Sequence, residues 1–500
     1  MKKKLQELNN IIAELYDIGF AQSLLGWDRE TYMPVGGAEA RGQVVATLGK
    51  ISHKKATSAK VGNLLDDLVK YAEELDPDSD EARIIKISKR DYDQHTKVPQ
   101  DMVTEQIMIS NAASMAWREA REKSDYSIFA PHLEKIVDYA QRYVEIFQPY
   151  DHPYDVLFDL FEPEMKTAEA QKIFDDIRPK QVELIKAISE KQQVEDKFLH
   201  QNFPIETQKK LGTEIVTAFG YDPRNGRQDL AAHPFSTTIG YGDNRIAVRF
   251  DENFFNPYMF AVMHEAGHAM YSLGIPKDNY RTSIYGSCSS ALQESQSRLW
   301  ENLVGRSKPF WEGYYPKLQE YYPSQFANIS LDQFYKGINI VKPSLIRVEA
   351  DEATYNLHIM LRLEIEIGLL DGSIKVKDLP EIWNSKITEY LGITPTNDSE
   401  GVLQDIHWSM GLMGYFPSYA LGNLISATLW EKMLEDHPDI DDQIRNGKFS
   451  NLLGWMNDKI YSHGSKFFPQ ELVQKITGEK INGDAFIRYL TKKYSEIYNI

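Results

Sequence analysis

The sequence predicts a mainly α-helical protein: one large helical body with a deep groove and a small β-hairpin. Three observations lead there. Apolar residues recur at three- and four-residue steps through most of the 500 residues. One stretch, 235–250, switches to alternation with period two. No low-complexity linker or internal repeat divides the chain, so the helices are expected in one body.

Residues 1–150 read as helical nearly throughout. Leu5, Leu8, Ile11, Ile12, Leu15 and Ile18 share one face. Pro34, Gly36 and Gly37 break the pattern. Amphipathic helices are expected near 57–75, 79–95, 100–123 and 127–148, their charge-rich faces solvated. A long helix is expected over 166–192 and a shorter one over 205–219. In the alternating stretch Ile246, Val248 and Phe250 interleave with Arg245, Ala247 and Arg249 after the turn-like Gly240–Asn244. The expectation is an antiparallel hairpin, either a structural flap or an edge strand that pairs with an extended peptide.

The next helix has the clearest ends. Asn256 is placed as N-cap, Pro257 opens the first turn, and Gly274 and Pro276 punctuate the far end. Met259, Val262, Met263, Ala266, Ala269, Met270 and Leu273 mark its buried face. A helix from about Ser290 to Val304 follows, with Leu292, Leu299, Trp300 and Leu303 on its core side. Residues 314–328 read as an irregular crossing, and Pro343 to Ile367 as a helix. Then come the turn Asp371-Gly372, a helix near 378–391, a loop from Pro395 to Gly401, and a mostly helical last hundred residues with a Gly/aromatic stretch at Gly411–Gly422.

Composition narrows the function classes. Lys plus Arg number 56 against 73 Asp plus Glu, a net charge of −17, which argues against a nucleic-acid partner. No run approaches the ~18 apolar residues of a membrane span, and polar residues interrupt the basic start too early for a signal peptide. The single cysteine, Cys288, allows no intrachain disulfide. A cytoplasmic protein is expected.

The clear-ended helix carries His264-Glu265-Ala266-Gly267-His268. Histidines four apart leave one side of a helix and can fill two corners of a zinc tetrahedron. Glu265, one step round, is positioned to take a proton from an activated water. A catalytic zinc needs a third protein ligand. Glu294, 26 residues after His268 on the next predicted helix, is the candidate; a plain surface acid is the rival reading.

These residues stand among several signatures in one order. They are His233-Pro234-Phe235, Asp243-Asn244-Arg245-Ile246, His264–His268, Glu294-Ser295-Gln296, Ile346–Asp351 and Gly401–Trp408, with Gly26–Pro34 near the start. With them the chain resembles the Taq-type metallocarboxypeptidases, the M32 peptidase family, over essentially its whole length. Two positions depart from that pattern: Gln293 stands where the family usually has His, and Ala247 where it has Thr. Metal environment and one contact near the hairpin are therefore open.

The resemblance implies a helical fold with a long groove and a small sheet beside the zinc site. It implies a single domain over 1–500, with 1–150 as wall or lid and 151–500 as catalytic part. It implies Zn²⁺, with Co²⁺ or Mn²⁺ as substitutes, held by His264, His268 and Glu294. It further implies peptide substrates with a free C-terminus, trimmed one residue at a time with broad tolerance, and a homodimer. Glu265 is then the general base, and His407 and Tyr419 are candidate donors to the oxyanion. Arg347 is the candidate carboxylate anchor, since a guanidinium fork matches both oxygens; a structural ion pair is its rival reading. Gln404 and Arg245 are candidates for holding the peptide backbone. His358, Arg362 and Glu364 read as structural. The alternative function is an endo-acting metallo-oligopeptidase in a similar groove.

Overall fold

A computed structural model describes residues 1–500; 68% of them are helical, and one small sheet accompanies the helices. The chain begins with α1 (Lys2–Thr31), α2 (Ala38–Ala56), α3 (Ala59–Ala72), α4 (Asp80–Lys97), α5 (Gln100–Lys123) and α6 (Tyr126–Glu145). The four amphipathic helices expected after residue 56 correspond to α3–α6. α2 lies within the stretch read as helical, although no separate helix is expected there; none of its residues is fully buried, and Val44 and Ile51 on its apolar stripe stay exposed.

Leu5, Leu8 and Ile12 of α1 pack with Leu64, Leu65 and Leu68 of α3 and Ile84 and Ile85 of α4 in a small core of their own. The main core, 104 buried residues, runs from Ala113 to Tyr498. The far end of α1 is tied down separately. The Trp27 ring lies under Arg227 and Arg245, at 5.2 and 4.4 Å. Tyr32 donates its hydroxyl to Asp229 at 2.6 Å. The signature at Gly26–Pro34 thus joins α1 to the sheet.

After α7 (Pro153–Phe158), α8 (Thr167–Ser189) and α9 (Ile205–Phe219) comes the sheet. Its strands are β1 (Gln228–Leu230), β2 (Phe235–Gly240) and β3 (Asp243–Val248), in the order β1-β3-β2. The hairpin is the expected one; the three-residue β1, too short to show alternation, adds parallel to β3. This places the strand of Arg245 in the middle, so β2, not β3, carries the edge next to the hairpin.

Then follow α10 (Asn256–Gly274) and α11 (Ser290–Arg298), the latter continued by a π-helical turn, Leu299–Val304. The expected irregular crossing at 314–328 is instead mostly α12 (Lys308–Tyr321) and α13 (Pro323–Phe326). Pro316 lies inside α12, where burial of Phe310, Trp311, Tyr315 and Leu318 outweighs it. After α14 (Leu331–Ile338), the helix expected from Pro343 starts only at α15 (Tyr355–Asp371). The Asp351 carboxylate accepts the backbone N–H groups of Lys342, Ala353 and Thr354 and holds that segment in a non-helical bend. The chain finishes with α16 (Leu379–Leu391), α17 (Pro417–Asp436) and four further helices between Ile440 and Tyr498.

Candidate metal centre and substrate cleft

The motif helix α10 is hydrophobic almost all round, and Met259, Val262, Met263, Ala266 and Ala269 are fully buried. Asn256 does not cap it: the cap position is Phe255, already helical, and the Asn256 Oδ1 atom is buried without a partner. Pro257 in the first turn and Pro276 beyond the end set its limits.

α11 starts where its sequence says, with Ser289 Oγ accepting the Leu292 N–H at 3.0 Å. Glu162 reinforces that start by accepting the Ala291 N–H at 2.6 Å. Two glycines let α11 nestle between its neighbours. A Cβ on Gly267 of α10 would stand 2.7 Å from Ser297 Cα, and one on Gly422 of α17 would stand 2.6 Å from Glu294 Cβ. The close approach brings Glu294 under the histidine pair.

His264 Nε2 lies 3.7 Å from one Glu294 oxygen and His268 Nε2 lies 3.9 Å from the other. One ligand atom from each of the three residues falls within 4.8 Å of the others. Both rings are held from behind. His264 Nδ1 meets Glu301 Oε2 at 2.8 Å, and His268 Nδ1 meets the Gln293 side-chain oxygen at 3.0 Å. With each Nδ1–H donated backwards, each Nε2 presents its lone pair to the same point. Two neutral imidazoles and a carboxylate around one point fit a divalent cation such as zinc.

The charges behind the rings differ. Burial pushes Glu301 up, but Arg298 and His264 outweigh it and hold the carboxyl down at about 2. Burial disfavours protonated His264, yet the Glu301 contact wins and its pKa lies above the ordinary value. Burial lowers His268 to about 4; its partner Gln293 carries no charge. Burial pushes Glu265 up to about 7 against the pull of His264.

Gln293 therefore fills the departing position with a neutral acceptor. Gln293→Leu keeps the bulk and removes the acceptor. Metal affinity in a chelator competition is expected to fall about 10–100-fold; an unchanged affinity would take Gln293 out of this role.

These groups lie on the floor of a cleft of about 1660 Å³. Tyr415, Tyr419, Arg298 and Arg347 line it, as do His233 to Thr238. His407 stands behind Tyr419, its Nε2 3.3 Å from the Tyr419 hydroxyl, and burial lowers its pKa to about 3. Arg347 donates from Nε and Nη2 to Asp405 at 3.1 and 2.8 Å and from Nη1 to the Tyr355 hydroxyl at 2.8 Å. The expected rival, an ion pair, is thus present, and two of the five guanidinium N–H groups remain for a ligand.

Gln404 takes no place in the cleft wall. Its oxygen accepts from the Arg347 N–H and from Arg362, and its amide donates to the Leu345 carbonyl. It braces the two arginines against each other. Arg245 forks onto Asp243 at 2.9 and 2.8 Å and stacks on Trp27. Arg362 joins Asp405, Glu364 pairs with Arg178 at 2.7 Å, and His358 is wholly buried, as befits residues read as structural.

The sequence reading missed Glu301, Arg298 and Tyr415. Glu301 sits seven residues after Glu294, on the same face of that helix and its π turn; that spacing was the available signal. It also did not resolve the sheet edge. On β3 the groups of Asn244, Ile246 and Val248 bond towards β1 and its flanking residues. Arg245 and Ala247 therefore face β2, where Thr237 and Phe235 answer them. The backbone N–H and C=O of Ser236 and Thr238 point outward, along the cleft.

A buried carboxylate beside a His2Glu cluster, on the floor of a long helical cleft, belongs to a metal-dependent hydrolase. The chain is a member of the carboxypeptidase Taq (M32) metallopeptidases, whose family model matches residues 7–494. It is 38% identical to carboxypeptidase 1 of Bacillus subtilis (strain 168), covering 99% of this chain and 98% of that one. It is 36% identical to thermostable carboxypeptidase 1 of Thermus thermophilus, over 99% and 98%. Among solved structures, the M32 carboxypeptidase of Deinococcus radiodurans R1 superposes with a TM-score of 0.97 at 34% identity, with all of both chains covered. The Pyrococcus furiosus carboxypeptidase gives 0.95 at 35%, covering 99% of each. The protein is accordingly a metallocarboxypeptidase with a helical fold, acting on peptides. No helix is long and apolar enough to cross a membrane.

Proposed function

We propose that this enzyme uses zinc, held by His264, His268 and Glu294, to release single residues from peptide C-termini with broad side-chain tolerance. The observation that carries the reading is the pair of Nε2 atoms turned onto Glu294, each ring fixed from behind at Nδ1. Zinc there would supply Lewis-acid polarisation and an activated water; Co²⁺ or Mn²⁺ would substitute. Glu265 takes the proton of the attacking water and returns it to the leaving amine. Tyr419 faces the cleft and donates to the developing oxyanion, with His407 behind it as hydrogen-bond partner. Arg347 offers its two remaining N–H groups to the substrate carboxylate.

Ser236 and Thr238 on the outer edge of β2 pair with the peptide backbone upstream of the cleaved bond. We read residues 1–150 as wall and lid of one catalytic unit, and the enzyme as a cytoplasmic homodimer.

The test is digestion of matched peptides followed by mass spectrometry. Free-acid peptides should shorten one residue at a time, and the same peptides amidated at the C-terminus should react about tenfold more slowly or worse. Equal rates on both would favour the endo-acting alternative and remove Arg347 from its role. Metal analysis of the purified protein tests zinc in the same experiment.

A further inference from the structure

A second cavity, of about 430 Å³, opens beside the metal centre between α1 and β2. It shares Tyr16, Thr237, Ser272, Tyr285 and Gln293 with the cleft wall, so the two spaces adjoin. Phe20 and Ser23 close it from α1. We propose that this cavity is the subsite for the side chain of the substrate's penultimate residue, the one just before the cleaved bond, and that it favours aromatic side chains. This rests on the carboxypeptidase reading above.

Direction along the cleft supports the placement. Arg298, Arg306, Arg347 and Lys342 line it together with Pro257 and Phe260, from the start of α10. A carboxypeptidase leaves one residue beyond the cleaved bond, so its carboxylate must lie on that basic side. The rest of the peptide then leaves past the end of α10, where Ser272 and Ile275 border the second cavity. The cavity also reaches Gln293, which bonds His268 directly. It is therefore beside the reacting centre and not several residues away. A peptide paired along the outward groups of Ser236 and Thr238 sends side chains to alternate sides of its strand. One of those sides is this cavity, since both residues border it.

Its chemistry fits an aromatic guest. Tyr16 and Tyr285 meet edge-on at 5.8 Å, and Phe20 stacks on Tyr280 at 5.7 Å, a fixed aromatic wall. Ser23, Ser236 and Ser272 also border the cavity with hydroxyls, suited to the polar tip of a tyrosine.

Gly19 gives a clean way to fill the space. It lines the cavity from the interior of α1, and a Cβ added there meets nothing within 4 Å. Gly19→Leu therefore intrudes on the cavity while improving helix propensity. With peptides sharing one C-terminal residue, kcat/KM for those with Tyr or Phe at the penultimate position should fall about tenfold or more. Those with Gly or Ala there should stay within about twofold, and zinc affinity should not change. Ser23→Leu, one turn on, should repeat the pattern. An equal loss on all peptides, or no loss with either variant, would overturn the proposal. Free-acid and amidated peptides run on the parent enzyme test the underlying reading separately.

Discussion

Glu265→Gln is expected to lower kcat by about 10²–10⁴-fold while the protein keeps its metal. The side chain is 5% exposed and follows His264 directly, so it leaves α10 beside the histidine pair without joining it. Glutamine has the same shape and packs in the same space. It offers no base, so water at the centre loses its proton acceptor and the leaving amine its donor. The rear contacts of the histidines go to Glu301 and Gln293, so the replacement leaves both untouched. Metal content and single-turnover kinetics on one preparation check the two halves. A variant with full metal and the parent's kcat would take Glu265 out of the mechanism; one that lost its metal would move it into the ligand set.

Asp405→Ala should cost about 3–5 kcal/mol of stability, read as a shift in a urea unfolding curve. Asp405 accepts from Arg347 and, at 2.8 and 2.5 Å, from Arg362, both guanidinium groups being buried. Removing it leaves two buried cations side by side with no carboxylate between them. The nearest histidines, His358 and His407, are themselves held neutral by burial, at about 3, and no other carboxylate bonds either arginine. The pH dependence follows from the same pair. Burial alone would raise Asp405, but Arg347 and Arg362 hold its carboxyl far below the ordinary 3.8. Its stabilisation is thus complete above pH 3.8 and is lost as pH falls from there towards the folded pKa. The alanine variant should show a flatter acid limb in stability against pH. Equal acid sensitivity in both proteins would mean that another group controls it.

How much of this was legible in the sequence depends on how local each determinant is. The motif helix, its histidines and the spacing to Glu294 follow from helical periodicity, and the structure places those three side chains together. The hairpin follows from alternation. What failed was non-local. α2 carries Val44, Leu48 and Ile51 at helical spacing yet fully buries none of its residues, so its stripe does not mark a core face. Residues 343–354 have helical-looking composition, but the Asp351 carboxylate captures three backbone N–H groups and bends them away. Arg245 and Gln404 sit in motif stretches, which is all that sequence offers for a substrate contact. Their partners Asp243, Trp27 and Arg362 are visible only in three dimensions. Glu301 was missed because a carboxylate behind a ligand looks, in one dimension, like any other acid.

Gly267 and Gly422 extend that point to residues with no side chain. Neither lines the cleft, yet a single methyl at either would wedge apart the helices on which the third ligand is seated. Drift in this enzyme is therefore constrained at places that a search for reactive groups would pass over. Inactive descendants could keep every chemically active residue and still have lost the geometry that made them useful.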